Sequence, residues 1–387
     1  ANEPITTQLT KPTIVVGRIM TLDQADTIVN EGQADMVSMV RALIADPGLV
    51  NKAKQGNADL IRPCIGSNFG CVGQIMSTGK LGCVVNIAAA KETEITFEPT
   101  EKPKSIEKIL IVGGGPAGLE AARTAAILGH DVHLHEATKR LGGQVTIAAS
   151  APHRSDLGAI TKWLETEMER LKVNVTLNSF VDPDLVNKIS PDRIILATGS
   201  TPRTDGFQLT TPIAPLKGFN LNHVYSSWDV LGFGGRVNSE GPAVIFDDTG
   251  TFEAISVADA LLERGMQVTL VSRYESLGAS LPYPPATVEA AKERLMSQNF
   301  DFIGGHYLQA ITQDEVMIGV PFTERKRRIH ANTVALVTYN HPNRDLGNYL
   351  ATQSLQPNPK IHTIGDASGT NGIQAAIHQA ADLVRSL

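Results

Sequence analysis

Short apolar runs, each followed by a helical stretch, recur along the chain and predict its architecture. Thr13-Ile-Val-Val16 ends at Gly17-Arg18 and precedes a helix through Ala25 to Glu31. Asp35-Met-Val-Ser-Met-Val40 predicts a second, buried strand, followed by Arg41 and a helix led in by Asp46-Pro47. Two βα units cannot close a sheet, and about fifty residues are too few for an independent parallel domain. This segment therefore reads as the end of something larger. A polar, Pro-containing linker spans 94–105.

From Ile106 the pattern is doubly wound. A strand over 109–112 leads through glycines into a helix over 119–128, and a strand over 132–136 follows. The helix over 155–171 carries Leu157, Ile160, Trp163, Leu164, Met168 and Leu171 at helical spacing with acids and bases between, a core-packing stripe. A strand over 194–197 ends at Thr198-Gly199. A second βαβ unit takes 243–246, 255–264 and 267–271, and 300–340 is rich in strands. A strand over 361–364 then meets Gly365-Asp366 and a closing helix from Ile373. A nucleotide domain with another inserted in it explains that order.

Composition sharpens this α/β reading. A chain of 387 residues with 34 glycines and few aromatics suits roughly two or three α/β domains. The net charge of −6 argues against a nucleic-acid partner. The basic run Arg325-Lys-Arg-Arg328 interrupts a strand-like region and reads as a solvated hairpin, because cations blunt exposed strand edges. No window approaches the ~20 apolar residues of a membrane helix. Ala1-Asn-Glu-Pro-Ile-Thr-Thr7 lacks the charged and apolar regions of a signal peptide, so a cytoplasmic location is expected.

Gly113-Gly-Gly115-Pro116-Ala117-Gly118 follows a strand and opens a helix, the context that makes the glycine pattern informative. The first glycine permits a tight turn, the second lets a pyrophosphate approach the backbone, and the third lets helix and strand pack. The helix N-terminus supplies amide donors. Glu136 closes the second strand, where an acid accepts from adenosine ribose hydroxyls. Ala137, Arg140, Gly143 and Gln144 after the acid, Ala197-Thr198-Gly199, and Gly365-Asp366 suit a long ligand. Asp366 can hold a ribityl chain, and the helix start at Gly372-Ile373 would face the isoalloxazine carbonyl, where negative charge grows on reduction. FAD is favoured over ADP or NAD.

The second unit departs from the fingerprint. It reads Phe246-Asp247-Asp248-Thr-Gly250-Thr-Phe-Glu253, and carboxylates there would repel a pyrophosphate by on the order of several kcal/mol. NAD(P)H binding is expected to be weakened or lost.

All three cysteines, Cys64, Cys71 and Cys83, fall within twenty residues, which points to metal ligation in a reducing compartment. Ser67 stands where a fourth thiolate would be wanted. Three thiolates can hold a three-iron cluster (3Fe–4S), or a four-iron cluster (4Fe–4S) whose last iron takes serine, water or another side chain. Zinc with three cysteines needs a nearby histidine, and the loop has none.

Gly17-Arg18-Ile19, the run Asp35 to Pro47, Arg62-Pro-Cys64-Ile-Gly with its later cysteines, and the two nucleotide-type units resemble the back half of one family. It comprises 2,4-dienoyl-CoA reductase, trimethylamine dehydrogenase and related N-demethylating flavoenzymes. The resemblance implies an old-yellow-enzyme-like (β/α)8 barrel carrying FMN, an iron–sulfur cluster, and a C-terminal FAD- or ADP-binding part. It implies that residues 1–60 are the last two barrel units and that 61–105 are the cluster loop and linker. Residues 106–220 and 341–387 would be the FAD/ADP-binding domain, and 221–340 an inserted NAD(P)-like domain. Gly17, Arg18 and Arg41 would lie at the phosphate of an FMN shared with a partner chain.

The function implied is that of an electron-transfer subunit. Electrons from a small methylated amine oxidised at FMN, in a barrel-carrying partner, would cross the cluster to FAD and leave to an electron-transferring flavoprotein or similar acceptor. The alternatives are an NAD(P)H-dependent ene-reductase running the other way and a non-catalytic ADP-binding scaffold.

Overall fold

The computed structural model describes residues 8–101, 103–232, 237, 240–283, 287–356, 358–369 and 372–387. Residues 1–7, whose composition bears on a leader sequence, lie outside that set.

The chain opens with β1 (Ile14–Val16), α1 (Leu22–Asn30), β2 (Met36–Ser38), α2 (Val40–Ala45) and α3 (Leu49–Lys54). The two strands run parallel, with Ile14 opposite Met36. A capping box starts α1: the Thr21 hydroxyl accepts from the Gln24 amide, and the Gln24 side chain accepts from the Thr21 N–H. Val15, Ile19, Ala25, Ala34, Met39, Ala42 and Leu49 form a small core.

The pattern predicts a buried strand over 35–40, and here the structure differs. The strand is three residues long, Met36 is 47% exposed, and Val40 begins a helix. Ile14 and Val16 are 62% and 64% exposed, and among the described residues β1 pairs only with β2. A parallel strand is buried only where further strands and layers cover it.

A π-helical turn (Phe69–Gly73) and α4 (Gln74–Thr78) follow. The first large sheet is then built from β3 (Lys108–Val112), α5 (Pro116–Leu128), β4 (Asp131–His135), α6 (Gln144–Ser150), α7 (Gly158–Arg170), β5 (Asn174–Thr176), α8 (Pro183–Ile189) and β6 (Arg193–Leu196). After β7 (Ser200–Thr201) come β8 (Val224–Ser226), α9 (Ser227–Leu231), β9 (Ala243–Asp247), α10 (Phe252–Glu263), β10 (Val268–Ser272), α11 (Glu289–Met296) and β11 (Phe300–Ile303). Strands β12 (Tyr307–Ile311), β13 (Glu315–Gly319), β14 (Lys326–His330) and β15 (Thr333–Val337) complete the middle of the chain. The chain closes with β16 (His341–Pro342), α12 (Asp345–Leu350), β17 (Lys360–Thr363) and α13 (Gly372–Arg385).

Strand order is β17-β6-β3-β4-β5 in one parallel sheet and β11-β10-β9-β15-β8 in the other. β7 and β16 pair antiparallel where the chain leaves the first sheet and returns to it. β12, β13 and β14 form an antiparallel sheet whose outer strand bears the exposed Lys326, Arg327 and Arg328, the solvated hairpin that the basic run predicts. Helices cover β3 on both faces, so Ile109, Leu110 and Ile111 are wholly buried and read as a continuous apolar run. Helix α5 is buried without a break from Ala117 to Ala125 because α7 and α13 pack on it.

One buried ionic cluster joins the opening segment to this sheet. The Arg62 amide donates to Asp46 Oδ2 at 2.8 Å, its Nη1 to the Val85 carbonyl at 2.5 Å, and its Nη2 to both Glu120 oxygens at 3.1 and 3.2 Å. Its guanidinium lies 4.5 Å from the centre of the Trp163 ring, and Arg123 lies 4.9 Å from the same ring. Arg123 pairs with Glu167 at 2.8 Å and with Glu98 at 2.5 Å. The stretch 94–105 reads as a linker, yet the structure docks it through Glu98 and through the Phe97 carbonyl, which accepts from Arg385 at 3.1 Å. Among the described residues no helix is long and apolar enough to cross a membrane.

Breaking a buried pair strands a charge. Arg62→Met is expected to destabilise the chain by about 3–5 kcal/mol. Adding Glu120→Met should cost less than the sum of the two single changes, as read from urea unfolding midpoints.

Candidate functional site

The C-terminal ends of β3, β4 and β6 meet at one groove. Gly113 has φ +109, and a Cβ there would meet the Ala197 carbonyl oxygen at 2.3 Å. At Gly118 a Cβ would lie 1.9 Å from the Gly113 carbonyl oxygen, so helix and turn touch. At Gly115 a Cβ would meet nothing within 4 Å, which leaves open space before the first turn of α5. Glu136 sits directly after β4, its Oε2 accepting from the Gly114 amide at 2.7 Å and its Oε1 from Thr138 at 2.8 Å. The loop through Gly142 and Gly143 forms the facing wall: the Gly142 amide donates to the Gly114 carbonyl at 2.8 Å.

The groove continues toward Asp366. Gln144 Nε2 lies 3.0 Å from the Ser200 hydroxyl and 3.2 Å from Asp366 Oδ2, and Ser200 donates to the same oxygen at 3.2 Å. Burial pushes the Asp366 carboxyl up, while Ser200, Gln144 and the Gly372 amide pull it down. Gly113, Gly115, Gly118, Glu136, Gly143, Gln144, Ala197, Gly199, Gly365, Asp366 and Gly372 therefore belong to one surface. Pro116, Ala117, Thr198 and Ile373 are the residues next to it in the turns and helix starts, and Ala137 and Arg140 are exposed on the loop after Glu136. Sequence reasoning missed Ser200, and also Gln379, whose Oε1 accepts from the Gly365 amide at 2.8 Å. Neither has a local spacing signal, since each is defined by a partner brought in by the fold.

The three cysteines line a second, small cavity with Arg41, Ser67, Asn68 and apolar Ile44, Ile65, Val84 and Val85. The π-helical turn presses onto the Cys83–Val84 backbone, because a Cβ on Gly70 would lie 2.7 Å from the Val84 nitrogen. Burial raises the Cys64 thiol, with Cys71 adding to the rise and Arg41 and Arg18 opposing it. Burial likewise pushes Cys83 up to about 11, with Cys64 and Cys71 adding. The thiols thus feel one another's charge. Among the described residues no three His, Cys, Asp or Glu side chains converge on a single-ion site. A polynuclear cluster asks something different, namely thiolates spread around a cavity so that each binds its own iron. A largely apolar pocket lined by three thiols fits that group.

Arg18 and Arg41 follow the ends of β1 and β2, and both turn toward this loop. Arg41 Nη1 donates to Asn68 Oδ1 at 2.5 Å, and Arg18 pairs with Asp156 at 2.5 Å. Gly17 beside them has φ +143 with open space around it.

The second βαβ unit has the same frame and a filled turn. Asp247 Oδ1 accepts from the Thr249 and Gly250 amides at 3.0 and 2.8 Å, taking donors a phosphate would use. Glu253, half-buried, accepts from the Ser227 hydroxyl, and burial raises both carboxyls. Asp248 is pushed up to about 6 by burial. Arg273 Nε lies 3.0 Å from Asp248 Oδ1 but aims its N–H at the Asp248 carbonyl, 2.8 Å away.

Two family profiles match this chain. That of the pyridine nucleotide-disulphide oxidoreductases covers residues 107–226, and that of the NADH:flavin oxidoreductase / NADH oxidase family covers residues 1–59. The N,N-dimethylglycine/sarcosine dehydrogenase of Chromohalobacter salexigens is 36% identical over 277 residues, 70% of this chain and 38% of that protein. The NADH oxidase of Thermoanaerobacter brockii is 33% identical over 377 residues, 95% of this chain and 54% of that protein. The structure of 6-hydroxypseudooxynicotine amine oxidase from Pseudomonas geniculata superposes with a TM-score of 0.90 at 27% identity, covering 99% of this chain and 57% of the other. The chain spans about half the length of the curated relatives it matches.

Two outcomes test this geometry. Gly115→Ala should leave thermal stability nearly unchanged and abolish ADP and FAD binding by calorimetry, whereas Gly118→Ala should lower stability itself. Asp248 tests the second crevice. Its carboxyl is near 3.8 when unfolded and about 6 when folded, so its contribution to stability falls as pH rises from about 4 to about 6. Asp248→Asn should therefore gain on the wild type across that window in urea midpoints.

Proposed function

The chain belongs to the 2,4-dienoyl-CoA reductase / trimethylamine dehydrogenase family of flavin oxidoreductases, to whose C-terminal half it corresponds, and on that premise we propose that it relays electrons for an amine-oxidising or demethylating enzyme. Cys64, Cys71 and Cys83 would hold an iron–sulfur cluster, with the Ser67 hydroxyl at the remaining corner. The groove from Glu136 through Gly113–Gly118 to Asp366 would hold FAD, or ADP in its inner half. Gly17, Arg18 and Arg41 would meet the phosphate of an FMN carried by the barrel. When bound, cluster and flavin supply one-electron exchange that links a two-electron substrate oxidation to an external carrier such as an electron-transferring flavoprotein.

The protein's own side chains do the rest. Glu136 anchors the ribose end, and the open face at Gly115 admits phosphates onto the first turn of α5. Apolar Ile44, Ile65, Val84 and Val85 line the cavity beside the thiols. The exposed Ile14, Val16 and Met36 form the face that the missing barrel units would cover, whether these lie earlier in the same polypeptide or in a partner subunit. The carrying observation is that three cysteines line one small cavity on a loop pinned by Arg62 to the helix that opens the nucleotide groove. The likeness to an N,N-dimethylglycine/sarcosine dehydrogenase supports a small methylated amine as substrate.

A second reading reverses the flow, with NAD(P)H reducing the flavin for an ene-reduction. The likeness to an NADH oxidase favours it. The Asp247 carboxylate lodged in the second crevice opposes it. A third, an ADP-holding scaffold without redox chemistry, draws on Ser67 in place of a fourth cysteine.

The purified protein should show a flavin band and a broad iron–sulfur shoulder; neither band would leave only the scaffold. Cys71→Ala should lose the shoulder and the iron while keeping the flavin, and unchanged iron content would refute the ligand assignment. Rapid mixing with NADPH should leave the flavin oxidised, whereas prompt bleaching would establish the reverse flow.

A further inference from the structure

Helix α13 is shared between the groove and the cysteine cavity. At its start the Gly372 amide approaches the Asp366 carboxylate in the groove. Further along, Gln374 Nε2 donates to Gln74 Oε1 at 3.3 Å. One turn beyond, His378 Nε2 lies 2.8 Å from the carbonyl oxygen of Cys83. A carbonyl only accepts, so the ring carries its proton on Nε2. Gln379, the next residue, holds the Gly365 amide and lies 3.2 Å from the Ser368 hydroxyl. Adjacent side chains of one helix thus grip the loop of one site and the turn of the other. With a rise of 1.5 Å per residue, Gly372 and His378 are roughly 9 Å apart along the axis.

We propose that His378 is a positioning residue that ties the backbone of Cys83 to the helix opening at the flavin groove, setting the separation and the relative potential of the two electron-carrying sites. The inference rests on the cluster and flavin assignment above. A donor aimed at the ligand's carbonyl draws electron density from that peptide and favours the extra electron on the adjacent cluster. Each transfer moves one electron, oxidising one group and reducing the other. No bond is made or broken at His378, and its proton stays on the ring.

The bland reading, a core histidine satisfied by a nearby carbonyl, predicts a loss of stability and nothing else. Two variants of the loaded protein separate these: His378→Leu removes the donor and His378→Gln keeps one. EPR-monitored redox titration of His378→Leu should show a lower cluster potential, and transfer from dithionite-reduced flavin to the cluster, the reverse of the proposed flow, should slow in rapid mixing by about tenfold. His378→Gln should restore the potential and most of the rate. A wild-type potential and rate in His378→Leu would overturn the proposal.

A second arm uses the iron-free chain, in case His378→Leu fails to assemble the cluster. FAD should slow alkylation of Cys83 by iodoacetamide about fivefold in the wild type and in His378→Gln, but not in His378→Leu. Equal protection in all three would overturn the coupling. Iron analysis of the wild type keeps the two failures apart: a wild type without iron sinks the cluster assignment, whereas an iron-loaded wild type with an indifferent His378 sinks only the coupling.

Discussion

The structure depends on one buried charge. Arg62 stands between the opening βα units, the cysteine loop and the nucleotide helix, and it contacts all three through Asp46, Val85 and Glu120. Such a cation is costly to desolvate, and it persists because both Nη groups have acceptors, in the Val85 carbonyl and the Glu120 carboxylate, and its face is covered by Trp163. Apolar packing alone would let these layers slide. Directed charge-assisted hydrogen bonds fix their register instead, so that the cysteine cavity has a defined place relative to α5.

The protein contains the same doubly wound frame twice, with opposite outcomes. In the first, the turn after the central strand is emptied of side chains, and its acid sits across on the neighbouring strand, where it accepts a single turn amide. In the second, the strand itself ends in Asp247, which folds back and consumes the Thr249 and Gly250 amides. A phosphate arriving there meets donors already used and a carboxyl of its own sign. A change at the end of one strand thus turns a ligand cradle into a structural turn, while the buried sheet beneath it is unaffected.

The cysteine loop gains its shape from neighbours distant in sequence. Gly70 lies against the Cys83–Val84 backbone, Arg41 meets Asn68, and α13 reaches over from the chain's end to Cys83. Burial makes the Cys64 and Cys83 thiols poor acids alone.

The sequence by itself determined the parallel strands, the helix after Gly113, the acid at Glu136 and the clustering of cysteines. Those features are local: a buried strand must be apolar throughout, a tight turn against a helix must be glycine, and ligands on one loop must be near in sequence. It also placed the carboxylates Asp247 and Asp248 at the turn of the second unit, because charge is visible in composition. The second strand was misjudged as buried, since burial depends on which layers lie above Met36 and not on Met36 itself. Only the tertiary structure decided that Arg62, Glu120 and Trp163 form one cluster, that Glu98 docks a segment that reads as linker, and that Ser200, His378 and Gln379 meet Asp366, Cys83 and Gly365. Each of these acts through a partner tens or hundreds of residues away, and pairings at that range leave no period or spacing in a single chain.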